Sequence, residues 1–343
     1  MYHYKLALLG FGNVGRALAR LLQRKETELQ DRYGITFSVT GIATGQHGAA
    51  INLTGLDYIR AVELVENGES LAALSKIHVQ DNFHFLRSCG ADVLFENTPV
   101  NHKTGQPAID HLHQALELGM HAITANKGPV VHAYHELTEL AKARNRKFFF
   151  ESTVMDGVPI FSLFRSALPA VQLLGLRGIL NSTTNLILGR MESGESFDEA
   201  VKYAQSVGLA ETDPTMDVDG WDAAIKVAAL ISVLMEIPFS PQQVERTGIR
   251  LITPEMIIQA KAEGKRWKLV CSAEREGATV KGRVAPELVS PASPLYGLEG
   301  ATSLIEFKTD VLGNLTIMEK DPTPVCTAFG LLADFINAVR IVV

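Results

Sequence analysis

Apolar and polar positions alternate along the first 150 residues in two rhythms. Short β-rich runs at 4–9, 36–43, 92–97, 121–125 and 147–153 are separated by stretches of helical spacing, from 14 to about 30 and over 104–118 and 130–144. Strand and helix in strict alternation predict a parallel, doubly wound sheet. Beyond residue 153 the rhythm changes. Helices are expected near 183–192, 196–206 and 221–235, and β-like runs at 268–274, 279–285 and 303–318, which predict a second, α+β domain with a mixed or antiparallel sheet. Ser196-Phe-Asp-Glu199 has the form of a capping box, in which hydroxyl and carboxylate each satisfy an orphan backbone group, so it predicts a helix start. The last stretch, 327–341, has helical spacing and is expected to pack back on the first domain. The expected division is therefore residues 1–150 with the terminal helix 325–343, and a second domain over 151–324.

The chain has 343 residues, 46% of them apolar, enough to bury a core in each of two domains. Its net charge is −6, without a Lys/Arg block to neutralise a run of phosphates, so a nucleic-acid partner is disfavoured. The longest apolar run is Val227 to Met235, interrupted by Ser232, against roughly 20 residues needed to cross a bilayer. No membrane span and no secretory leader is expected, and the expected compartment is the cytoplasm. Cys89, Cys271 and Cys326 are far apart and in no CxxC pair, which supports neither a disulfide framework nor a thiolate zinc site. They read as small buried apolar side chains.

Gly10-Phe11-Gly12-Asn13-Val14-Gly15 follows the first predicted strand and opens the first helix. Glycines there let the backbone approach a pyrophosphate and let strand and helix pack closely, while the helix N-terminus offers N–H groups to phosphate oxygens. The six residues point to a dinucleotide cofactor. An NAD site usually places a carboxylate about 20 residues further on, against the ribose 2′-hydroxyl. Here that stretch is Ala43-Thr-Gly-Gln-His-Gly48, with no acid before Asp57. Nothing there repels a 2′-phosphate, and Thr44 or His47 can donate to one, so the reading leans to NADP over NAD. The same stretch is readable as a loop indifferent to either.

Glu96-Asn97-Thr98-Pro99 and Thr124-Ala-Asn126-Lys127-Gly-Pro129 each end a predicted strand, at the carboxyl edge of the sheet where ligands bind. Lys127 is either a solvated surface charge or, pinned between Asn and Gly-Pro, a group turned toward a ligand. On a helix over 221–235, Asp222 and Lys226 stand at i and i+4, where the carboxylate can hold the ammonium. An exposed pair of that spacing is commonplace and of little energetic weight. The acids just before it, Glu211, Asp213, Asp217 and Asp219, give the pair a second meaning: several carboxylates beside a helix start can bind the α-ammonium of an amino acid. Asp213 and Asp219 are also readable as helix-terminus or turn residues. The hydroxyls and free N–H groups of Asn181-Ser-Thr-Thr-Asn185 can cap a helix or bind a substrate carboxylate.

Over most of its length the chain resembles the homoserine dehydrogenases, which oxidise L-homoserine reversibly to L-aspartate 4-semialdehyde with NAD(P). The marks are GFGNVG at 10–15, ENTP at 96–99, TANKGP at 124–129, ESTVMDGVP at 151–159, GILNSTTNLIL at 178–188 and GLAETDPTMDVDGWDAAIK at 208–226. The resemblance implies a Rossmann-type first domain, a second domain that binds substrate and forms a homodimer, and a place in threonine, methionine and isoleucine biosynthesis. It assigns Lys226 and Lys127 to proton handling and hydroxyl binding, and Glu211, Asp222, Asp217 and Thr183 to the substrate. Asn97, Thr98 and Lys127 join the glycine turn and Thr44 at the cofactor. Glu151, Val154, Asp156 and Val158 match a stretch that in some members binds a monovalent cation such as Na⁺, largely through carbonyls; an ordinary turn is the alternative. In the implied mechanism Lys226 is the acid/base and Lys127 stabilises the alkoxide, the closeness of two ammonium groups helping to depress one pKa.

The chain departs from the family in two places. Ser182 stands where members usually have glycine, so Thr183 carries the match in that loop. Where many relatives have a glycine-rich GxGAG turn over the nicotinamide, this chain reads Glu319-Lys-Asp-Pro-Thr-Pro324, so a different closure is expected. With the sequence ending at Val343, no threonine control through an appended domain is expected. Two other readings compete. A phosphorylating semialdehyde dehydrogenase needs a cysteine nucleophile, and all three cysteines lie outside the motifs. A cofactor-sensing protein without turnover has no use for Lys127, Glu211, Asp222 and Lys226 together.

Overall fold

Residues 1–340 are described by the computed structural model of the chain. Strand β1 (Tyr2–Leu9) becomes fully buried over its last four residues and leads through the glycine turn into α1 (Asn13–Tyr33). There follow β2 (Ile35–Ala43), β3 (Ala49–Ile51), α2 (Tyr58–Glu66), α3 (Asn82–Ser88), β4 (Val93–Glu96), α4 (Ala108–Glu117), β5 (His121–Thr124), α5 (Lys127–His132), α6 (Tyr134–Ala143) and β6 (Phe148–Phe149). The sheet order is β3-β2-β1-β4-β5-β6, parallel except for the β2–β3 pair. Because the chain leaves β1 to one side for β2 and returns on the other for β4, the carboxyl ends of β1 and β4 flank the switch point at which such sheets bind ligands.

The second unit starts its sheet with β7 (Leu173–Ile179), then α7 (Ser182–Glu192), α8 (Phe197–Ser206), α9 (Thr215–Val218), α10 (Trp221–Leu234), β8 (Glu245–Arg246), α11 (Pro254–Ala262), β9 (Arg266–Glu276), β10 (Thr279–Val289), β11 (Ser303–Thr309) and β12 (Asn314–Glu319). Its order is β12-β11-β7-β9-β10-β8, antiparallel but for the short β8–β10 pair. The sheet is thus mixed, in an α+β unit. The Ser196 hydroxyl accepts from the Glu199 N–H while the Glu199 carboxylate accepts from the Ser196 N–H, so α8 starts with a complete capping box. Strand β10 and helix α10 bury apolar faces because Val280, Val284 and most of α10 are apolar at the matching period.

Helix α12 (Pro324–Val339) belongs to the first unit, which comprises Met1–Ile160 and the chain from Thr323 onward; the second is Phe161–Pro322. Leu331, Leu332 and Phe335 of α12 share a core with Leu18 and Leu22 of α1. The Phe335 ring meets Tyr4 and Phe95 edge-on, with centroids 6.0 and 6.1 Å away. Burying one such ring contributes on the order of 2–3 kcal/mol. Ile341, at the end of the expected 327–341 helix, lies outside the described residues. Residues 151–160, expected in the second domain, fall in the first. The Glu151 N–H donates to the Asp334 carboxylate at 2.7 Å, the Ser152 hydroxyl to the Thr327 carbonyl at 2.7 Å, and the Thr327 hydroxyl to Asp156 at 2.7 Å, all onto α12.

Several element boundaries differ from the sequence expectation for local reasons. The expected strand 147–153 is two residues long: Phe150 turns out of line, and Glu151–Thr153 form a 3₁₀ turn tied to α12. The expected helix 130–144 is two helices broken at Ala133, whose backbone leaves the helical region. The expected helix 104–118 begins only at Ala108, because the Asn101 side chain draws the N–H groups of Lys103 and Thr104 into a turn. The β-like run 303–318 is a hairpin, β11 and β12. Among the described residues no helix is long and apolar enough to cross a membrane.

Candidate active site

In the first unit the glycine turn is built for close approach. Gly10 has φ +94° and donates its N–H to the Ala43 carbonyl at 3.0 Å; a Cβ there would run into the backbone of Asn97 and Thr98. At Gly12 no atom other than those of its chain neighbours lies within 4 Å of where a Cβ would stand, so the turn presents open space in front of the α1 N-terminus. Phe11 is buried in the core and Val14 packs against it, so their side chains face inward rather than toward the open side of the turn. Arg16 braces the turn, donating to the Phe11 carbonyl at 3.2 Å and the Asn13 side chain at 2.8 Å. Beside Gly10, the Asn97 amide has both polar atoms buried with no hydrogen-bond partner. A buried amide left unsatisfied is costly. The open space at Gly12 and the orphaned amide of Asn97 together fit a bound dinucleotide.

The two strand-end turns are locked to each other. Glu96, fully buried, accepts from the N–H of Thr98 at 3.1 Å and from its hydroxyl, and from the Thr124 hydroxyl at 3.0 Å. Asn126 caps α5 by accepting from the Gly128 N–H at 3.0 Å, which places Lys127 at the first position of that helix. Glu96 escaped the sequence reading as a site residue. Its signal was faint: an acid as the last residue of an otherwise apolar strand.

In the second unit Asp222 and Lys226 form an ion pair at 3.0 Å, each side chain 15% exposed. The Lys226 ammonium also donates to the Leu180 carbonyl at 2.6 Å, and the Asn181 amide donates to Asp217 at 2.7 Å and Asp222 at 3.1 Å. This is no surface pair: four side chains from α9, α10 and the β7–α7 turn share one half-buried polar cluster. Gly220, with φ +78°, turns the chain into α10, and Arg246 stacks over the Trp221 ring at 3.9 Å. Asp213 accepts from the Thr215 N–H at 3.0 Å and Asp219 pairs with Arg250, so these two acids serve the local fold. Glu211 is exposed, its carbonyl held by Gln205 at 3.1 Å.

Two expected ligand hydroxyls are occupied. Thr183, 4% exposed, donates to the Leu209 carbonyl at 2.8 Å, joining α7 to the chain after α8, so it has no proton for a substrate carboxylate. Thr44 accepts from the His47 N–H at 2.7 Å and donates to the Gly48 carbonyl at 3.2 Å; it closes its own turn and offers nothing to a 2′-phosphate. Among the described residues no group of three or more His, Cys, Asp and Glu is placed to hold a metal ion. Burial pushes the Cys89 thiol up to about 11 and that of Cys271 to about 12, far from a thiolate nucleophile.

Residues 10–151 match the family model described as homoserine dehydrogenase, NAD binding domain, and residues 159–336 that described as homoserine dehydrogenase. The chain belongs to the homoserine dehydrogenase family. It is 36% identical over 339 residues to the NAD(+)-dependent homoserine dehydrogenase of Pseudomonas canavaninivorans, covering 98% of this chain and 96% of that protein. The homoserine dehydrogenase of Methanocaldococcus jannaschii is 35% identical over 334 residues, covering 97% of each. A hyperthermophilic archaeal homoserine dehydrogenase solved in complex with NADPH superimposes with a TM-score of 0.83 at 28% identity, covering 98% of both chains. The protein is accordingly an oxidoreductase with a nicotinamide-nucleotide-binding first unit.

Proposed function

We propose that this member of the family oxidises L-homoserine reversibly to L-aspartate 4-semialdehyde, within threonine, methionine and isoleucine biosynthesis. A nicotinamide cofactor bound at the carboxyl edge of the first sheet would supply the hydride chemistry. Gly10 to Gly15 would hold its pyrophosphate through backbone N–H groups, and the Asn97 amide would supply a donor and an acceptor that are unmatched in the protein itself. Lys226 at its Nζ takes the hydroxyl proton in oxidation and returns it in reduction, and Asp222 fixes its orientation. Lys127 places positive charge against the developing alkoxide. Asp217, Asp222 and Glu211 supply negative charge for the substrate α-ammonium. The observation that carries this reading is the half-buried Asp222–Lys226 pair, shared with Asn181 and Asp217, because a solvated ion pair needs no such support.

With no acid at the end of β2, both cofactors remain open, as a relative named NAD(+)-dependent and a neighbour solved with NADPH illustrate. The missing carboxylate after β2 favours NADP. A monovalent cation such as Na⁺ would be held by Glu151 and the carbonyls of Val154, Asp156 and Val158. The successive left-handed residues Met155 and Asp156, φ 53° and 50°, support a carbonyl-lined turn there. The homodimer is carried over from the resemblance, and sedimentation velocity checks it. Initial rates of homoserine oxidation with NAD and with NADP, repeated on Lys226→Ala, test the function. Turnover with at least one cofactor and its loss in the variant are expected; a variant at the native rate overturns the assignment of Lys226.

A further inference from the structure

Beside the switch point of the first sheet, the carboxyl ends of β4 and β5 are joined by a closed ring of hydrogen bonds with Glu96 at its base. Glu96 accepts from both the N–H and the hydroxyl of Thr98; the Thr98 carbonyl accepts from the Asn126 side chain at 3.2 Å; the Asn126 N–H donates to the Thr124 hydroxyl at 2.9 Å; and that hydroxyl donates back to Glu96, at its carbonyl at 2.8 Å and its carboxylate at 3.0 Å. One side of the ring carries Asn97 and Thr98. The other carries Asn126, the cap that starts α5 at Lys127. Behind the carboxylate lies His111, equally buried, with Nδ1 3.8 Å from Glu96 and Nε2 3.1 Å from the Asn82 amide nitrogen.

The direction of these bonds follows from the chemistry of the acid. Glu96 Oε1 accepts from the Thr98 N–H and from the Thr98 hydroxyl, so the single hydroxyl proton of Thr98 points into the ring. Toward anything bound at the sheet edge, Thr98 then offers lone pairs and no proton. A threonine without that acid behind it would be free to present either polarity.

We propose that Glu96 is a positioning residue for nicotinamide-nucleotide binding: it holds the two strand-end turns in one ring and fixes Thr98 as an acceptor for a donor group of the cofactor, a carboxamide N–H or a ribose hydroxyl. The inference rests on the reading of this edge as the cofactor site. Glu96→Gln places an amide N–H₂ against Thr98 or Thr124 and breaks the enforced polarity. Thr98→Val removes the acceptor at constant shape, and Thr98→Ser restores it.

Affinity for NADPH and NADH, read by nucleotide fluorescence, separates the alternatives. Loss of the acceptor is expected to weaken binding about 10-fold in Thr98→Val and in Glu96→Gln. The double variant should be no weaker than either single one, because both remove the same contact. Thr98→Ser should bind within about 3-fold of the native protein. Turnover should show the loss in KM for the cofactor rather than in kcat. Additive effects, or Thr98→Ser and Thr98→Val binding alike, overturn the proposal, and the serine–valine comparison remains decisive should Glu96→Gln fail to fold. A native protein that binds nucleotide yet leaves homoserine untouched would sink the proposed reaction while leaving this titration intact.

Discussion

Two glycines two residues apart should fail in opposite ways when each is replaced by alanine. At Gly10 the backbone has φ +94°, and a methyl group would stand 2.6 Å from the Thr98 nitrogen and closer still to the Asn97 carbonyl. The left-handed conformation costs about 1–2 kcal/mol, and overpacking against a buried strand end about 1–3 kcal/mol more. A total of about 2–5 kcal/mol corresponds to a fall in melting temperature of roughly 5–20 °C for a unit of this size. At Gly12 φ is −75° and ψ −155°, which alanine adopts, and its methyl would meet nothing but its chain neighbours within 4 Å. Gly12→Ala should therefore melt with the native protein or up to about 1 kcal/mol above it, since alanine restricts the unfolded chain. Its methyl, however, fills the space in front of the α1 N-terminus. Each phosphate contact displaced costs on the order of 10- to 100-fold in affinity. Melting with and without saturating NADPH, together with a fluorescence titration, reads both quantities. The native protein gains stability from the ligand by linkage; Gly12→Ala should start at the native value and gain almost nothing, and Gly10→Ala should start low. A Gly12→Ala protein with native cofactor affinity would refute the placement of the pyrophosphate.

Asp222→Asn removes the carboxylate that orients Lys226 at 3.0 Å, so kcat for homoserine oxidation should fall on the order of 100-fold; a variant within about 3-fold of the native kcat contradicts the pairing. Lys268, 1% exposed and bonded to Asn185 at 2.7 Å and the Leu298 carbonyl, is pushed down to about 8 by burial. Its folded pKa lies below the unfolded value near 10.4, so between about pH 8 and 10.4 the unfolded chain binds the extra proton and stability rises with pH, by at most about 3 kcal/mol. Denaturant melts of native protein against Lys268→Met across that window should show the rise in the native protein alone. Gly330→Ala should destabilise the first unit by about 2–4 kcal/mol, because its methyl would strike the Ser152 hydroxyl and lie 3.0 Å from the Gly157 Cα; an unchanged denaturation midpoint would show that the turn at 151–157 yields.

What could be read from the sequence was what is encoded locally. The glycine turn, the capping box at Ser196 and the i,i+4 pair of Asp222 and Lys226 each depend on a few adjacent residues, and each forms as its spacing suggests. The ring at Glu96 depends on β4 and β5 lying side by side, a relation that a separation of 28 positions conceals. Hydroxyl groups were the least legible. Thr44 and Thr183 sit where a ligand could use them, yet a nearby backbone group claims each. The short β6 and the break at Ala133 follow the same logic: a local pattern compatible with a longer element is cut where the fold redirects the chain, at Phe150 toward α12 and at Ala133 between two helices.

The return of α12 to the first unit sets an order on synthesis. Phe335 fills the gap beside Tyr4 and Phe95, so a ribosome that has finished the first 160 residues has made a nucleotide-binding sheet with one wall of its interior missing. The intervening Phe161–Pro322 segment is continuous and can close its own interior first. The earliest-made half of the protein thus waits longest for its missing wall, and a premature stop just before residue 324 would strip the cofactor-binding half of helix α12 while sparing most of the other.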